Sequence, residues 1–451
     1  MGETKAKLKL PFGFYVCSLG FTFERLAFYT AKYMVAIWIA TTVVDGGLGL
    51  SSAEGAAMSG SFVAYTYITP IIGGYIADYW LNPRICVVIG AILMGLGYLC
   101  GWQATSLSMV WAMIILVSVG TGFFKGNLSG LNGLQFKAED QDSAFSIQYS
   151  FVNIGSFVGT TFLVLLIPSF GFNFVFLICA IFLFWDAIWL FFLGKSLGDL
   201  GKKPFKQDQR QLDGTAKKAT AAAASEKLTS SDYKKITAIV LVTLFSIIFW
   251  ALWYMAYMPA YYHFGYGDGE DFKNKANWVI GSFTVPTSYF DSVNALSCMT
   301  LGPVLAIVWK KLAARPQGDM SMFKKTGLGI VLLGISFVVM VLADMVAGEG
   351  QVSLLWLVVV CLFLSVGEMV FSPLGNSFIV KLAPAKLMGL LLGVWPIAVY
   401  FSNIIYPPIY NALVAMDNFT VAFGGAAAVV IACGLVLIAL SGKLDRLEKG
   451  E

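Results

Sequence analysis

Seven ionisable side chains lie deep inside long apolar runs of this sequence: Glu24, Arg25, Lys32, Lys125, Asp186, Asp291 and Glu368. Asp78 and Asp344 fall nearer the ends of such runs. An ionised group at the centre of an apolar helix costs about 2.5–3.5 kcal/mol on insertion scales, so residues of this kind usually face a water-filled cavity. Three of the seven are basic and four acidic, a near balance that points to pairing inside one polar chamber. Arg25 and Lys32 stand nearly two helical turns apart and therefore share a face, with Tyr29 between them. Two cations about 10 Å apart along one face make a seat for a carboxylate. The competing reading is that both only pair with acids of neighbouring helices, Glu24 being such a partner or a proton site. Asp186, within FLFWDAIWL, stands alone in its run and is expected to be a locally paired or snorkelling acid. Bond-breaking chemistry has little to work with. The chain has one histidine, His263, and no HExxH pair, so neither a metal-ligand set nor a nucleophile–base set can be assembled.

These charges must be carried by elements, and composition says which. The 451 residues are 58% hydrophobic, 15% aromatic and 12% charged, with a mean hydropathy of +0.76. Soluble domains carry about 25% charged residues. A water-soluble enzyme is thereby excluded, and a net charge of +4 gives no field to hold nucleic acid. The seven cysteines all lie in apolar runs and read as small core residues, and no cofactor is expected.

A bilayer core of about 30 Å needs roughly 20 apolar residues per helix. Twelve such stretches occur, roughly at 12–42, 53–79, 84–103, 107–127, 143–167, 172–195, 234–262, 282–312, 321–346, 351–383, 387–413 and 418–441. Lysines and arginines precede the first stretch, follow the last and fill every second connection, as at Arg84, Lys137, Lys310, Lys381 and Lys443. Both termini are therefore expected in the cytoplasm. The basic start, MGETKAKLK, is not a removable signal peptide. The longest polar stretch, 196–233, holds an AAAA tract among Lys, Ser, Thr and Asp and reads as a cytoplasmic linker. It separates residues 1–195 from 234–451, six stretches on each side. The expectation is an all-α membrane protein of major-facilitator architecture, with twelve transmembrane helices in two six-helix bundles and a solute site near the midplane.

The glycine-rich pieces fit that picture. GLGYLCG at 95–101 has no strand before it, and GTGFFKG at 120–126 lacks the spacing and hydroxyl of a phosphate loop. Small residues in membrane helices more often let backbones approach closely.

Several ordered segments then become recognisable. VGTGFFKGNLSGLNGLQF at 119–136 resembles the fourth-span signature of the proton-dependent oligopeptide transporter family, and FSIQYSFVNIGSFVG at 145–159 its fifth-span signature. SVGEMVFSPLGNSFIVKLAPAKLMGLLLGVW at 365–395 is similar to the tenth-to-eleventh-span segment, and YTYITPIIGGYIAD at 65–78 to the second span with its gate acid, Asp78. FWALW at 249–253 and FDSVNALSCMTLGPVLAIVW at 290–309 fit the seventh and eighth spans. The resemblance covers both halves of the chain.

The resemblance implies an alternating-access importer of di- and tripeptides, coupled to protons, working as a monomer in a plasma or inner membrane. On matching positions, Lys125 would bind the peptide carboxylate, and Tyr67, Asn153 and Asn294 would hydrogen-bond the peptide. Glu368 would receive its amino terminus. Arg25, Tyr29 and Lys32 match the first-span motif, and Trp395 would line a side-chain pocket. Two acids that the family associates with proton coupling are replaced here by Phe21 and Tyr254. Glu24 and Asp291 are the residues expected to take over that role. The alternative is the same fold with proton-independent transport, or with another small organic or amino-acid-like solute.

Overall fold

A computed structural model describes residues 10–136, 138–205, 228–316, 318, 320–371, 375–384 and 387–449. The basic start and most of the expected linker lie outside the described residues, as does the Ser372–Pro373 pair.

Helices stand at each of the twelve expected stretches. The first six are α1 (Phe12–Ala40), α2 (Ser52–Tyr79), α3 (Pro83–Trp102), α4 (Leu107–Gly133), α5 (Ala138–Thr161) and α6 (Ile167–Leu193). The rest are α7 (Ser230–Tyr261), α8 (Tyr289–Ala313), α9 (Met322–Ala347), α10 (Leu355–Phe371), α11 (Gly375–Leu382), α12 (Met388–Val414) and α13 (Phe419–Lys449). Eight helical segments among the described residues are long and apolar enough to cross a membrane by length and composition. Their outward faces are apolar. On α6, Trp185, Ile188, Phe191 and Phe192 are each more than half exposed, and on α13 so are Val429, Leu435 and Val436. A row of bare large hydrophobic side chains of this kind is a face made for lipid.

Local chemistry sets the starts. Ser51 and Glu54 exchange hydrogen bonds, with the Ser51 backbone N–H donating to Glu54 at 3.0 Å and the Glu54 N–H to Ser51 Oγ at 3.3 Å. Asn82 caps α3 by accepting from the Ile85 N–H at 2.8 Å, and Pro83 follows in the first turn. Thr229 and Asp232 form the same reciprocal box at α7.

Two departures from the sequence expectation have clear causes. The sixth stretch contains a break at Gly171, whose φ of 80° leaves the helical region, so the straight helix begins after it. The eighth stretch was expected from 282, but helix starts only at Tyr289. Before it runs a small antiparallel hairpin pairing Val279 with Thr284 and Ile280 with Phe283, turning at Gly281 with φ 64°. A run of β-branched and aromatic residues beside a glycine reads equally as apolar helix or as hairpin. In the tenth stretch the described helix comprises α10 and α11, on either side of residues 372–374, which lie outside the described residues. A second short pairing, parallel, joins Ala276–Asn277 to Val352–Ser353.

The chain forms two compact units, Met1–Met34 with Tyr65–Leu212, and Val35–Ala64 with Asp213–Glu451. In the first, α3 and α4 cross so closely that a Cβ added to Gly90 or to Gly120 would lie 2.6 Å from the other's carbonyl oxygen. In the second, Gly327 of α9 and Gly434 of α13 make the matching approach. The later part of α1 and the early part of α2 belong to the second unit. The Tyr262 hydroxyl donates to the Ala36 carbonyl, the Tyr406 hydroxyl to the Ala56 carbonyl at 3.1 Å, and the Ser52 N–H to Asp271.

Candidate functional site

In the first unit the cations gather along α1 and α4, with α2 beside them. Glu24 and Arg25 are both buried, at 1% and 4% exposure. Arg25 offers Nε and Nη2 side-on to the two oxygens of Glu24, the geometry that suits a guanidinium and a carboxylate. The same guanidinium lies 4.3 Å from the centroid of the Phe28 ring and 5.9 Å from that of Tyr29. Lys32, also buried, comes within 6.0 Å of the Tyr29 ring. Tyr29 thus stands between the two cations, as their spacing along one face requires. Aromatic faces hold a cation without neutralising it.

Lys125 on α4 lies over the Tyr67 ring, 4.1 Å from its centroid. Arg25 is within electrostatic reach of both. Arg25, Lys32 and Lys125 thus stand on α1 and α4 with the ion-paired Glu24 beside them. Backbone contact makes this possible. A Cβ on Gly73 of α2 would run into the Gly122 carbonyl of α4, so glycine at both places lets α4 bring Lys125 against Tyr67. Asn153 on α5 is buried and spends its amide on the Tyr149 carbonyl at 2.9 Å. Asp78 lies half-buried at the end of α2.

The second unit carries acids set among hydrogen-bond donors. The Asn294 amide on α8 donates to Ser365 Oγ at 3.0 Å and to Glu368 Oε2 at 3.2 Å, both on α10. The Cys298 thiol donates to the same carboxylate oxygen at 3.6 Å. Glu368 is 8% exposed and so keeps some access. Asp291 sits in the first turn of α8, where the helix dipole favours a negative charge, and accepts from the Tyr261 hydroxyl. Tyr254 is buried and stacks on Tyr406 at 6.2 Å. Trp395 falls on α12, but its side chain lies outside the described residues.

Sequence reasoning missed Phe28, Tyr261, Cys298 and Ser365, because a ring, a hydroxyl and a thiol carry no signal until a partner helix is placed. It also misjudged Asp186. That side chain is fully buried and neither of its oxygens has a hydrogen-bond partner, so it neither pairs locally nor snorkels. Among the described residues no group of three or more His, Cys, Asp or Glu is placed to hold a metal ion.

Buried cations on aromatic faces and hydrogen-bonded acids within apolar helices are groups that can bind a small charged solute reversibly. The chain is similar to several known transporters. A dipeptide and tripeptide permease A of Erwinia pyrifoliae is 27% identical over 448 residues, covering 91% of this chain and 88% of that protein. A crystal structure of the peptide transporter POT in complex with alafosfalin superposes with a TM-score of 0.85 at 22% identity, covering 98% of this chain and 97% of that one. A POT family transporter in complex with 5-aminolevulinic acid gives a TM-score of 0.84 at 21% identity, covering 98% of both chains. A profile of the Major Facilitator Superfamily matches residues 21–395. With the helices of the fold at their expected places and that match spanning most of the sequence, the chain belongs to the Major Facilitator Superfamily.

Proposed function

We propose that this chain is an alternating-access secondary transporter that imports di- and tripeptides together with protons. The observation that carries the reading is that cations and a hydrogen-bonded acid stand deep within apolar helices. Arg25 and Lys32 are buried on α1, Lys125 lies over the Tyr67 ring, and Glu368 is held by Asn294. A peptide is a zwitterion, and cations for its carboxylate with an acid for its ammonium recognise its two ends whatever its side chains. The permease and the peptide-transporter structure described above support the same substrate class. Residues 1–195 and 234–451 would act as the two six-helix bundles, joined by the 196–233 linker. Both termini would be cytoplasmic, and a single copy in the plasma or inner membrane would suffice.

Uptake of labelled dialanine into proteoliposomes, with and without an inward proton gradient, tests solute and energy source together. Accumulation above the external concentration only with the gradient is expected. No entry of dialanine under either condition sinks the peptide reading.

A second reading has its own observation. Phe21 is buried against Phe124 at 6.0 Å, and Tyr254 is buried on Tyr406, so neither position offers an acid. That favours proton-independent transport, or an amino-acid-like solute such as the one bound in the second structure described above. Gradient-independent dialanine equilibration supports the first of these, and competition by 5-aminolevulinic acid without dialanine entry supports the second.

A further inference from the structure

The acids within the helices are not equivalent. Glu24 is ion-paired with Arg25, and Asp291 accepts from Tyr261. Glu368 accepts from Asn294 at 3.2 Å and Cys298 at 3.6 Å. Asp344 is held by His263 at 2.6 Å and Thr420 at 3.2 Å. Among the described residues, Asp186 is the one carboxyl with both oxygens buried and both without a partner. It points from α6 towards Gly20 of α1, where an added Cβ would lie 3.2 Å from Oδ1 and would also meet Leu190 at 3.2 Å and Leu128 at 3.4 Å. A charge in that apolar cradle would have neither water nor a donor to replace water, whereas the neutral acid has no charge to solvate.

Gly20 and Glu24 are one helical turn apart and share a face of α1, and Glu24 is within electrostatic reach of Asp186. Among the described residues, Cys17 of α1 is also within electrostatic reach of it. In the same layer, Tyr98 of α3 and Lys125 of α4 act on Glu24. The state of the Glu24–Arg25 pair therefore bears on Asp186. While the pair is closed, Arg25 offsets the negative charge of Glu24. When a substrate carboxylate takes Arg25, the uncompensated Glu24 charge opposes ionisation of Asp186 and tightens its hold on a proton. By linkage, a proton on Asp186 then favours substrate at Arg25.

From this arrangement we infer that Asp186 is a proton-binding site whose occupancy is coupled through Glu24 to the capture of a carboxylate by Arg25. The coupling half of the inference rests on the transport reading above. The protonation half does not.

Two measurements separate them. Dicyclohexylcarbodiimide attacks protonated carboxyls in apolar surroundings, and the resulting N-acylurea is located by peptide mass spectrometry. On the reconstituted full chain, labelling at Asp186 is expected at neutral pH, with Glu24 spared. Absence of label at Asp186 while the labelled protein stays folded overturns the assignment. In the second measurement, Asp186→Asn keeps the shape of the neutral acid but cannot titrate. Gradient-driven accumulation of dialanine should fall to the level seen without a gradient, while dialanine exchange between equal pools continues, and Asp186→Glu should restore part of the accumulation. Accumulation in D186N equal to wild type overturns the coupling. If wild-type protein moves no dialanine, the transport reading fails instead, and the labelling result still decides whether Asp186 carries a proton.

Discussion

The Lys125 ammonium lies 4.1 Å from the centroid of the Tyr67 ring. The aromatic face holds the cation without neutralising it, which leaves its N–H groups able to meet an anion. A hydrogen bond to a charged group contributes about 1.5–3 kcal/mol. Lys125→Ala should therefore raise the KM for dialanine roughly ten- to a hundredfold. Tyr67→Phe keeps the ring and loses only the hydroxyl, so its effect should be several-fold smaller. Concentration series of uptake in proteoliposomes check both, and equal KM values for K125A and wild type would remove Lys125 from the site.

The Glu24–Arg25 pair makes a stability prediction. Both partners are buried, and removing one side of a buried pair leaves an uncompensated charge, at a cost of about 3–5 kcal/mol. Arg25→Ala should lower the thermal midpoint in detergent well below that of wild type. Glu24→Gln combined with Arg25→Met removes both charges and should recover most of that loss, although peptide affinity should not return. A double variant no more stable than R25A would mean that the pair contributes packing alone.

How much of this was legible beforehand follows from what each feature depends on. The charges on α1 were readable because Arg25 and Lys32 sit at helical spacing in an apolar run, and helical spacing is a local property. The starts of α2, α3 and α7 are equally local, through Ser51, Asn82 and Thr229. Gly171 and the 279–284 hairpin were not readable, because a glycine in an apolar run is tolerated in a helix as often as it breaks one. Asp186 was misread for a further reason. Whether a buried acid finds a donor depends on which helices pack against it, and Gly20, Leu128 and Leu190 come from places in the sequence that no local pattern connects.

Glu368 owes its orientation to Asn294 and Ser365, and its charge is what an ammonium would meet. Glu368→Gln preserves size and most hydrogen bonding but loses that charge. Discrimination between dialanine and N-acetyl-dialanine should shrink from a large preference for the free amine to near parity. Competition against labelled dialanine reads this directly, and an unchanged preference in E368Q would place recognition of the amino terminus elsewhere.

His263, just beyond α7, gives a pH prediction with a definite sign. Burial pushes its pKa below the ordinary value near 6.5, and the nearby Lys273 and Lys275 act in the same direction, while the bond to Asp344 opposes them. Phe419 stacks on the ring at 3.8 Å. A folded-state pKa below the unfolded one means that the unfolded chain binds the extra proton first as pH falls. This contribution is therefore fully present above about pH 6.5 and declines as pH drops towards the folded value. The thermal midpoint should fall between neutral and mildly acidic pH, and His263→Gln should flatten that slope. Identical slopes in the two proteins would assign the acid sensitivity to other groups.

The approach of α2 to α4 carries a last prediction, because it links packing to the site. Gly73 and Gly122 let the two backbones touch, and Lys125 lies one turn beyond Gly122. A methyl at Gly73 would strike the Gly122 carbonyl, an atom that cannot yield without moving the helix. Overpacking of this kind costs about 1–3 kcal/mol. The displacement it forces would also carry Lys125 away from Tyr67. Gly73→Ala should thus lower the thermal midpoint and raise the KM for peptide together. Gly74→Ala, one residue on, meets nothing within 4 Å and should change neither. Thermal midpoints and uptake kinetics of the two variants side by side give the comparison, and equal behaviour of G73A and G74A would show that the helices can part without disturbing the lysine.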